Sequence, residues 1–126
     1  MASLKISTVD GRTAFEPGET IEVLAEWQLE ERPDRVEVRL VWYTSGKGER
    51  DWSLVEAVPF ENVPLFDSRR CELHLPDSPY SFSGKLISLV WAIEVIVEPG
   101  DESRRLDITV APSRKEVLLH RGDRRP

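Results

Sequence analysis

The chain has 126 residues, of which 40% are hydrophobic and 32% charged, and its formal net charge at pH 7 is −6. This length supports one compact domain with a single core, and the composition is typical of a globular protein. The excess of acidic side chains disfavours non-specific binding to nucleic acid, so we expect no nucleic-acid partner.

The sequence contains a single cysteine, Cys71, so an internal disulfide is impossible. No basic segment followed by an apolar stretch opens the chain, so no secretory signal is predicted. The longest apolar run, from Leu86 to Val97, is too short for a membrane-spanning helix, which needs about 20 apolar residues, and Glu94 interrupts it. We therefore expect a cytoplasmic protein without a membrane span.

Charge is distributed unevenly along the chain. Residues 1–111 carry 12 basic and 21 acidic side chains, a net charge of −9, whereas residues 112–126 carry five basic and two acidic ones. We therefore expect residues 1–111 to form the domain and residues 112–126 to form a basic, solvated C-terminal tail.

A two-residue period governs the first half of the chain and predicts strands. LKISTV predicts an opening strand, with room for a break before Phe15, and TIEVLAEWQL predicts a half-buried strand. GKGE predicts a hairpin turn, after which DWSLVEAV returns as a strand. Glu37 and Arg39 are expected to face outward, and Trp52, Leu54 and Val58 are expected to share one face. The residues expected to face inward in this half are Ile21, Val23, Ala25, Trp27, Leu29, Val36, Val38, Leu40 and Trp42.

The second half continues the pattern. RRCELHL is predicted to place Cys71, Leu73 and Leu75 inward and Glu72 and His74 outward. The run LISLVWAIEVIV is rich in β-branched residues and is bounded by turn residues, which favours a long strand over a helix. RRLDITVAP ends the sheet, with Leu106, Ile108 and Val110 inward. About seven strands without a helix predict an all-β, immunoglobulin-like antiparallel β-sandwich in which most of the tryptophans are core residues.

Two segments resemble the arrestin clan. FEPGETIEVLAEWQL resembles the opening of arrestin-clan domains, where an aromatic residue, a Pro-Gly-Glu turn and a long strand follow one another. LPDSPYSFSGKLISLVWAIEVIVE resembles the later signature of the clan, through Leu75-Pro76, Ser81, Ser83, Gly84, Trp91 and Ile93. The resemblance covers residues 15–111. It implies an arrestin-type sandwich like those of arrestins, retromer subunits and bacterial sporulation-control proteins, where such domains are non-catalytic and bind proteins, often as adaptors.

The chain departs from arrestins in two respects. Arrestins normally pair two such domains, whereas this chain holds one. The polar core that senses phosphate in visual arrestins has no counterpart that we can map, because alternation puts only one arginine of Arg69-Arg70 or Arg104-Arg105 on a given face. The resemblance therefore implies neither receptor recognition nor phosphate switching.

The motifs that might carry chemistry are weak. His74 and His120 have no evident catalytic partner, and one cysteine with two scattered histidines lacks the spacing of a zinc site. Lys47 lies between two glycines but lacks the spacing and the following helix of a phosphate-binding loop. We therefore expect no enzymatic activity, no cofactor and no metal.

Other groups of residues have simpler explanations. The carboxylates around Pro33 and Gly100 are of the type that binds calcium, although solvated turns explain them more simply. Arg121-Gly122-Asp123 is the tripeptide that integrins recognise, and nothing else in the sequence assigns it that role.

The alternation also predicts an apolar patch on the outer face of one sheet, made of Val41, Tyr43, Val90 and Ala92. Extended apolar patches usually mark contacts, so this face, or an exposed strand edge near it, is predicted to bind a protein partner or a second copy. Alternatively, the tail segment RKEVLLH covers the patch. A further alternative is a carbohydrate-binding sandwich in which Trp52 serves as the stacking platform.

Overall fold

The structure is a computed structural model that describes residues 2–46, 51–84, 86–99, 102–114 and 117–119. The predicted all-β sandwich is confirmed. The described residues form two sheets from ten strands: β1 (Ser3–Thr8), β2 (Ala14–Phe15), β3 (Thr20–Gln28), β4 (Arg35–Gly46), β5 (Trp52–Glu61), β6 (Phe66–His74), β7 (Phe82–Gly84), β8 (Ile87–Glu98), β9 (Glu102–Val110) and β10 (Val117–Leu119). The seven longer strands correspond to those predicted, and a short 3-10 turn spans Pro112–Arg114.

The two sheets differ in size. The small sheet has the order β1-β3-β6, and in the large sheet β4 lies between β5 and β8. The other side of β8 pairs first with β7 and then with β9. The pairs β2–β9 and β7–β10 are parallel, whereas the remaining pairs are antiparallel. Because β1 and β2 lie in different sheets, the chain breaks before Phe15, as the sequence allowed.

The core lies between the inner faces of the two sheets. Trp27 and Trp91 are buried there, and their indole N–H groups donate to the carbonyl oxygens of Pro64 at 3.1 Å and Pro79 at 2.9 Å. Both rings therefore bury their apolar surface without leaving a polar atom unpaired. The inward positions predicted for β3, β6 and β9 are buried or pack against this core. On β8 the alternate residues Leu89, Trp91, Ile93, Val95 and Val97 are buried, whereas Ile87 is exposed at the start of the strand.

One prediction for β5 is wrong, and a β-bulge is the reason. Leu40 pairs with Glu56 and Val41 pairs with Leu54, so Val55 has no opposite residue on β4. The extra residue shifts the alternation along β5. As a result Val55, Val58 and Phe60 pack against the core. Trp52 and Leu54, which precede the bulge, lie on the outer face. Trp52 and Leu54 therefore do not share a face with Val58.

The outward position predicted for Glu37 is confirmed by its pairing with Pro59 and Ile96, but its side chain is only 6% exposed. Its carboxylate lies 2.6 Å from Nε of Arg39 and 3.3 Å from Nη2 of Arg35. Two arginines therefore replace the water that this carboxylate would otherwise hold. On β4, Trp42 packs against the core as predicted, although it is only half-buried.

Part of the segment predicted to be a solvated tail belongs to the large sheet. The backbone of β10 pairs with β7 at the sheet edge, so residues 117–119 do not lie across the outer face. Residues 47–49 of the predicted GKGE turn, His120 and Arg121-Gly122-Asp123 lie outside the described residues. The part of the chain that the structure describes contains no helix with the length and apolar character needed to cross a membrane.

Candidate functional site

The pairing register places all four residues of the predicted patch on the outer face of the large sheet. Val41 lies opposite Ala92, and Tyr43 lies opposite Val90. Their exposure corrects the prediction, however. Val41 and Ala92 are fully buried, whereas Tyr43 and Val90 are half-buried. Only the second pair therefore reaches the surface.

A side-chain bridge accounts for the burial of Ala92. Arg105 lies opposite Glu94 on β9, and Tyr43 lies on β4, on the other side of β8. The guanidinium of Arg105 nevertheless lies 4.8 Å from the centroid of the Tyr43 ring. The two side chains thus meet above β8 at the level of Ala92, and Asp107, opposite Ala92, lies 3.5 Å from Nε of Arg105.

The exposed apolar surface on this face lies towards β5. Trp52, opposite Tyr43, is 56% exposed, and Leu54, opposite Val41, is 44% exposed. With Tyr43 and Val90 they form a continuous surface, which we call the outer-face patch. The sequence did not reveal that Trp52 and Leu54 belong to it, because the bulge that turns them outward leaves no signal in the alternation.

A groove of about 320 Å³ lies at the end of the patch, next to the connection between β4 and β5. It is lined by Tyr43, Thr44, Ser45, Asp51, Trp52 and Arg105. Two backbone contacts hold Asp51 in place: the N–H of Thr44 donates to its carbonyl oxygen at 2.9 Å, and its own N–H donates to Oγ1 of Thr44 at 2.8 Å. The groove therefore has walls on two rigid, paired strands.

Single side-chain contacts link the edges of the two sheets. The Arg104 Nε–H donates to the carbonyl oxygen of Leu4 at 3.2 Å, which links β9 to β1. A carboxylate oxygen of Glu56 accepts from the backbone N–H of His74 at 2.8 Å, which links β5 to β6. The bulge and Pro59 further interrupt β5 as a template for strand addition, and β10 covers β7.

His74 and Cys71 are the side chains that could take part in catalysis, and their surroundings are as follows. Nδ1 of His74 lies 3.1 Å from Oε2 of Glu56 on the surface. Burial raises the pKa of the Cys71 thiol to about 11, with a smaller contribution from the charge of Glu56. Within the described ranges, no group of three or more histidine, cysteine or acidic side chains is placed to share a metal ion.

A second exposed apolar surface lies at the start of β6, in the small sheet. Phe66 is 74% exposed and Leu65 is 42% exposed. Phe66 borders a groove of about 460 Å³ whose other walls are mainly polar, with Ser3, Lys5, Glu26, Trp27, Gln28, Asp67 and Ser68. Trp52 begins β5, whereas Leu65 and Phe66 follow the other end of that strand, where Phe66 begins β6 of the small sheet, so they offer a comparison surface for experiments on the outer-face patch.

The fold is an all-β sandwich that is similar to the folds of two solved proteins. The sporulation control protein Spo0M of Bacillus subtilis matches it with a TM-score of 0.61 at 15% sequence identity, over 88% of this chain and 49% of that one. Bacterial sporulation-control proteins are among the members of the clan that the sequence resembles, so the match supports an arrestin-like fold.

A β-glucosidase of Listeria innocua, solved in complex with isofagomine, matches with a TM-score of 0.50 at 13% identity, over 94% of this chain and 17% of that one. The chain thus spans about half of the sporulation control protein and less than a fifth of the glucosidase. At these identities the likeness concerns the fold alone. No protein-family model and no curated protein sequence matches the chain.

Proposed function

We propose that this chain is a non-catalytic, arrestin-like interaction domain that binds a protein partner through the outer-face patch. The observation that carries the proposal is the exposure of Trp52 and Leu54, 56% and 44%, side by side on one strand. Exposed apolar patches on folded domains mark contact surfaces. Tryptophan is also enriched among the residues that dominate binding energy, because it buries a large area at a small cost in side-chain entropy.

The structure favours contact through the face over addition of a strand to an edge. Strand addition needs a row of free backbone N–H and C=O groups. At β5 and β6 that row is interrupted by the bulge at Val55, by Pro59 and by the contact between Glu56 and His74. A partner that approaches the outer face meets no such obstacle.

The absence of catalysis is part of the proposal. The raised pKa of Cys71 keeps its thiol protonated near neutral pH, and a protonated thiol is a poor nucleophile. The imidazole of His74 contacts a carboxylate on the surface, outside the grooves of the outer face and of the small sheet. Neither group is therefore placed to act on a bound substrate.

The proposal also includes the cellular setting and the class of partner. The adaptor role follows the resemblance to the arrestin clan, and the net charge of −6 supports a protein partner over nucleic acid. The lone cysteine supports a cytoplasmic location. A second copy of the chain is the other partner that fits, since a two-fold axis would place one outer-face patch against the same patch of the other copy.

Affinity capture with matched variants tests the proposal. The full chain and its Leu54→Asp variant serve as baits in extract of the source cell, and the Leu65→Asp variant serves as the control because Leu65 is equally exposed on the remote surface. We expect a protein that is enriched by the wild type and by Leu65→Asp, and that Leu54→Asp recovers about tenfold less well. Light scattering of the three proteins reports a second copy as the partner. Equal recovery with all three baits, together with equal molar masses, would contradict the proposal.

A further inference from the structure

The groove beside Trp52 combines an exposed aromatic wall with fixed polar groups of both hydrogen-bonding types. Trp52 forms one wall, and Asp51 and Arg105 supply an acceptor and donors. We propose that this groove binds a neutral saccharide. This function is separate from the protein contact proposed above, although the two surfaces share Trp52 and Tyr43.

The exposed indole is the part of the groove that suits a sugar ring. One face of a pyranose ring presents C–H groups, which pack against the face of an aromatic ring, while its hydroxyl groups remain at the rim. Trp52 is 56% exposed and lies on a strand that pairs with Tyr43, so its backbone is held in place before a ligand arrives. A rigid platform of this kind lowers the entropic cost of binding.

The polar groups of the groove are also held in place. The guanidinium of Arg105 is fixed between the ring of Tyr43 at 4.8 Å and the carboxylate of Asp107 at 3.5 Å. The backbone of Asp51 is fixed by its two hydrogen bonds with Thr44. Sugar hydroxyl groups both donate and accept hydrogen bonds, so a guanidinium donor that is held in place, beside a carboxylate on a fixed backbone, suits them.

Charge and size decide between classes of ligand. The groove contains one basic and one acidic side chain, Arg105 and Asp51, so it has no net charge of its own, and the whole chain has a net charge of −6. An anionic ligand is therefore repelled by the protein as a whole, and a neutral ligand pays no such cost. A volume of about 320 Å³ is at the lower end of ligand sites, which suits a short saccharide.

Titration of the full chain with neutral oligosaccharides tests this proposal. The probes are cellotetraose, maltotetraose, xylotetraose, mannotetraose and chitotetraose, each followed by calorimetry and by tryptophan fluorescence. Trp27 and Trp91 are buried and the half-buried Trp42 packs against the core, so a change in emission on binding reports mainly the exposed Trp52. We expect at least one probe to bind, and the Trp52→Ala variant to weaken its affinity by about tenfold or more.

Further variants separate a saccharide site from a general effect on the fold. Asp51→Asn and Arg105→Met remove the charged groups and are expected to weaken binding several-fold, whereas Leu54→Asp, which lies outside the groove, is expected to leave it unchanged. Circular dichroism and thermal melting check that each variant is folded, and Trp52→Phe retains an aromatic platform should Trp52→Ala fail to fold.

Three results would overturn the inference. These are the absence of binding to every neutral probe, binding that survives Trp52→Ala, and binding to a heparin tetrasaccharide in preference to all neutral probes. The outcome is independent of the protein contact. Leu54→Asp tests the protein contact without touching the groove, and Asp51→Asn tests the groove without touching Leu54, so either proposal can fail alone.

Discussion

The guanidinium of Arg105 lies over the ring of Tyr43, 4.8 Å from its centroid, although the strand β8 separates the two residues in the sheet. This contact divides the outer face into two parts. Ala92, beneath the contact, is fully buried, whereas Trp52, beyond it, is the most exposed tryptophan among the described residues. The surface open to a partner is therefore displaced from the middle of the sheet towards β5.

The two classes of tryptophan are expected to differ in their contribution to stability. Trp91 is fully buried and donates to the carbonyl oxygen of Pro79 at 2.9 Å. Trp91→Phe removes buried volume and leaves that carbonyl without its donor, so we expect a loss of about 2–3 kcal/mol in the free energy of unfolding. Trp52→Phe, at an exposed site, is expected to change it by less than about 0.5 kcal/mol. Urea denaturation measures both free energies. Equal losses in the two variants would contradict a buried position for Trp91 and an exposed one for Trp52.

The buried carboxylate of Glu37 is expected to stabilise the large sheet. Glu37→Gln removes the buried carboxylate that Arg35 and Arg39 share, which leaves them the more exposed carboxylate of Glu98. Since both arginines are partly exposed, water recovers some of this loss, and we expect the free energy of unfolding to fall by about 1–2 kcal/mol. Glu22→Gln, at an exposed position of the small sheet, is the control and is expected to have almost no effect. An unchanged urea midpoint for Glu37→Gln would contradict this role.

Asp67 is expected to contribute to acid sensitivity. The side-chain hydrogen bond from Arg69, 2.7 Å long, lowers the pKa of Asp67 below its ordinary value of 3.8, and the backbone N–H of Ser68 adds to the effect. Because the pKa is lower in the folded state, the stabilisation is complete above the unfolded value and is lost as the pH falls through the folded one.

Asp67→Asn should therefore lose less thermal stability than the wild type when the pH is lowered from about 5 to about 2. Melting curves recorded by circular dichroism at both pH values give the comparison. Asp77→Asn, in the exposed loop before β7, is the matched control and should behave as the wild type does. A pH dependence that is the same in Asp67→Asn as in the wild type would disprove the assignment.

The thiol of Cys71 is expected to react slowly. Burial raises its pKa from 9.0 to about 11, so at pH 8 the thiolate population is about a hundredfold smaller than for an unshifted thiol, and alkylation slows by a similar factor. Iodoacetamide labelling followed by mass spectrometry measures the rate, with the urea-unfolded chain as the reference. The rate should rise about tenfold per pH unit up to the shifted pKa. Labelling of the folded chain as fast as the unfolded one would refute the expectation.

Much of the architecture was predictable because strict alternation is a local property. In β3, β6, β8 and β9 the residues that alternate in the sequence also alternate in the structure, so positions such as Trp27, Leu73 and Trp91 are found in the core. The same pattern identified the seven longer strands. It placed Tyr43 and Val90 on the correct face, because the register of β4 against β8 contains no irregularity.

The remaining features depend on contacts that a local pattern does not contain. The bulge at Val55 is defined by the pairing of β5 with β4, and the spacing of Trp52, Leu54 and Val58 is compatible with a regular strand as well. The cover above Ala92 is formed by a residue from β9, which lies on the far side of β8 from Tyr43. The sequence therefore predicted the correct face. It wrongly placed Val41 and Ala92 at the surface, and it did not place Trp52 and Leu54 there.

The start of β8 pairs with β7 on one side and with β4 on the other, so a row of paired residues connects the C-terminal strand with the groove. Residue 118 lies opposite Ser83, Ser83 lies opposite Ser88, and Ser88 lies opposite Ser45, which lines the groove. One transverse row of backbone positions thus runs from the last strand to the wall of the proposed ligand site. Residues 91–97 of β8 pair instead with β4 on one side and β9 on the other. Across the sheet, the C-terminal strand is therefore nearer to the groove than the linear order of the sequence suggests.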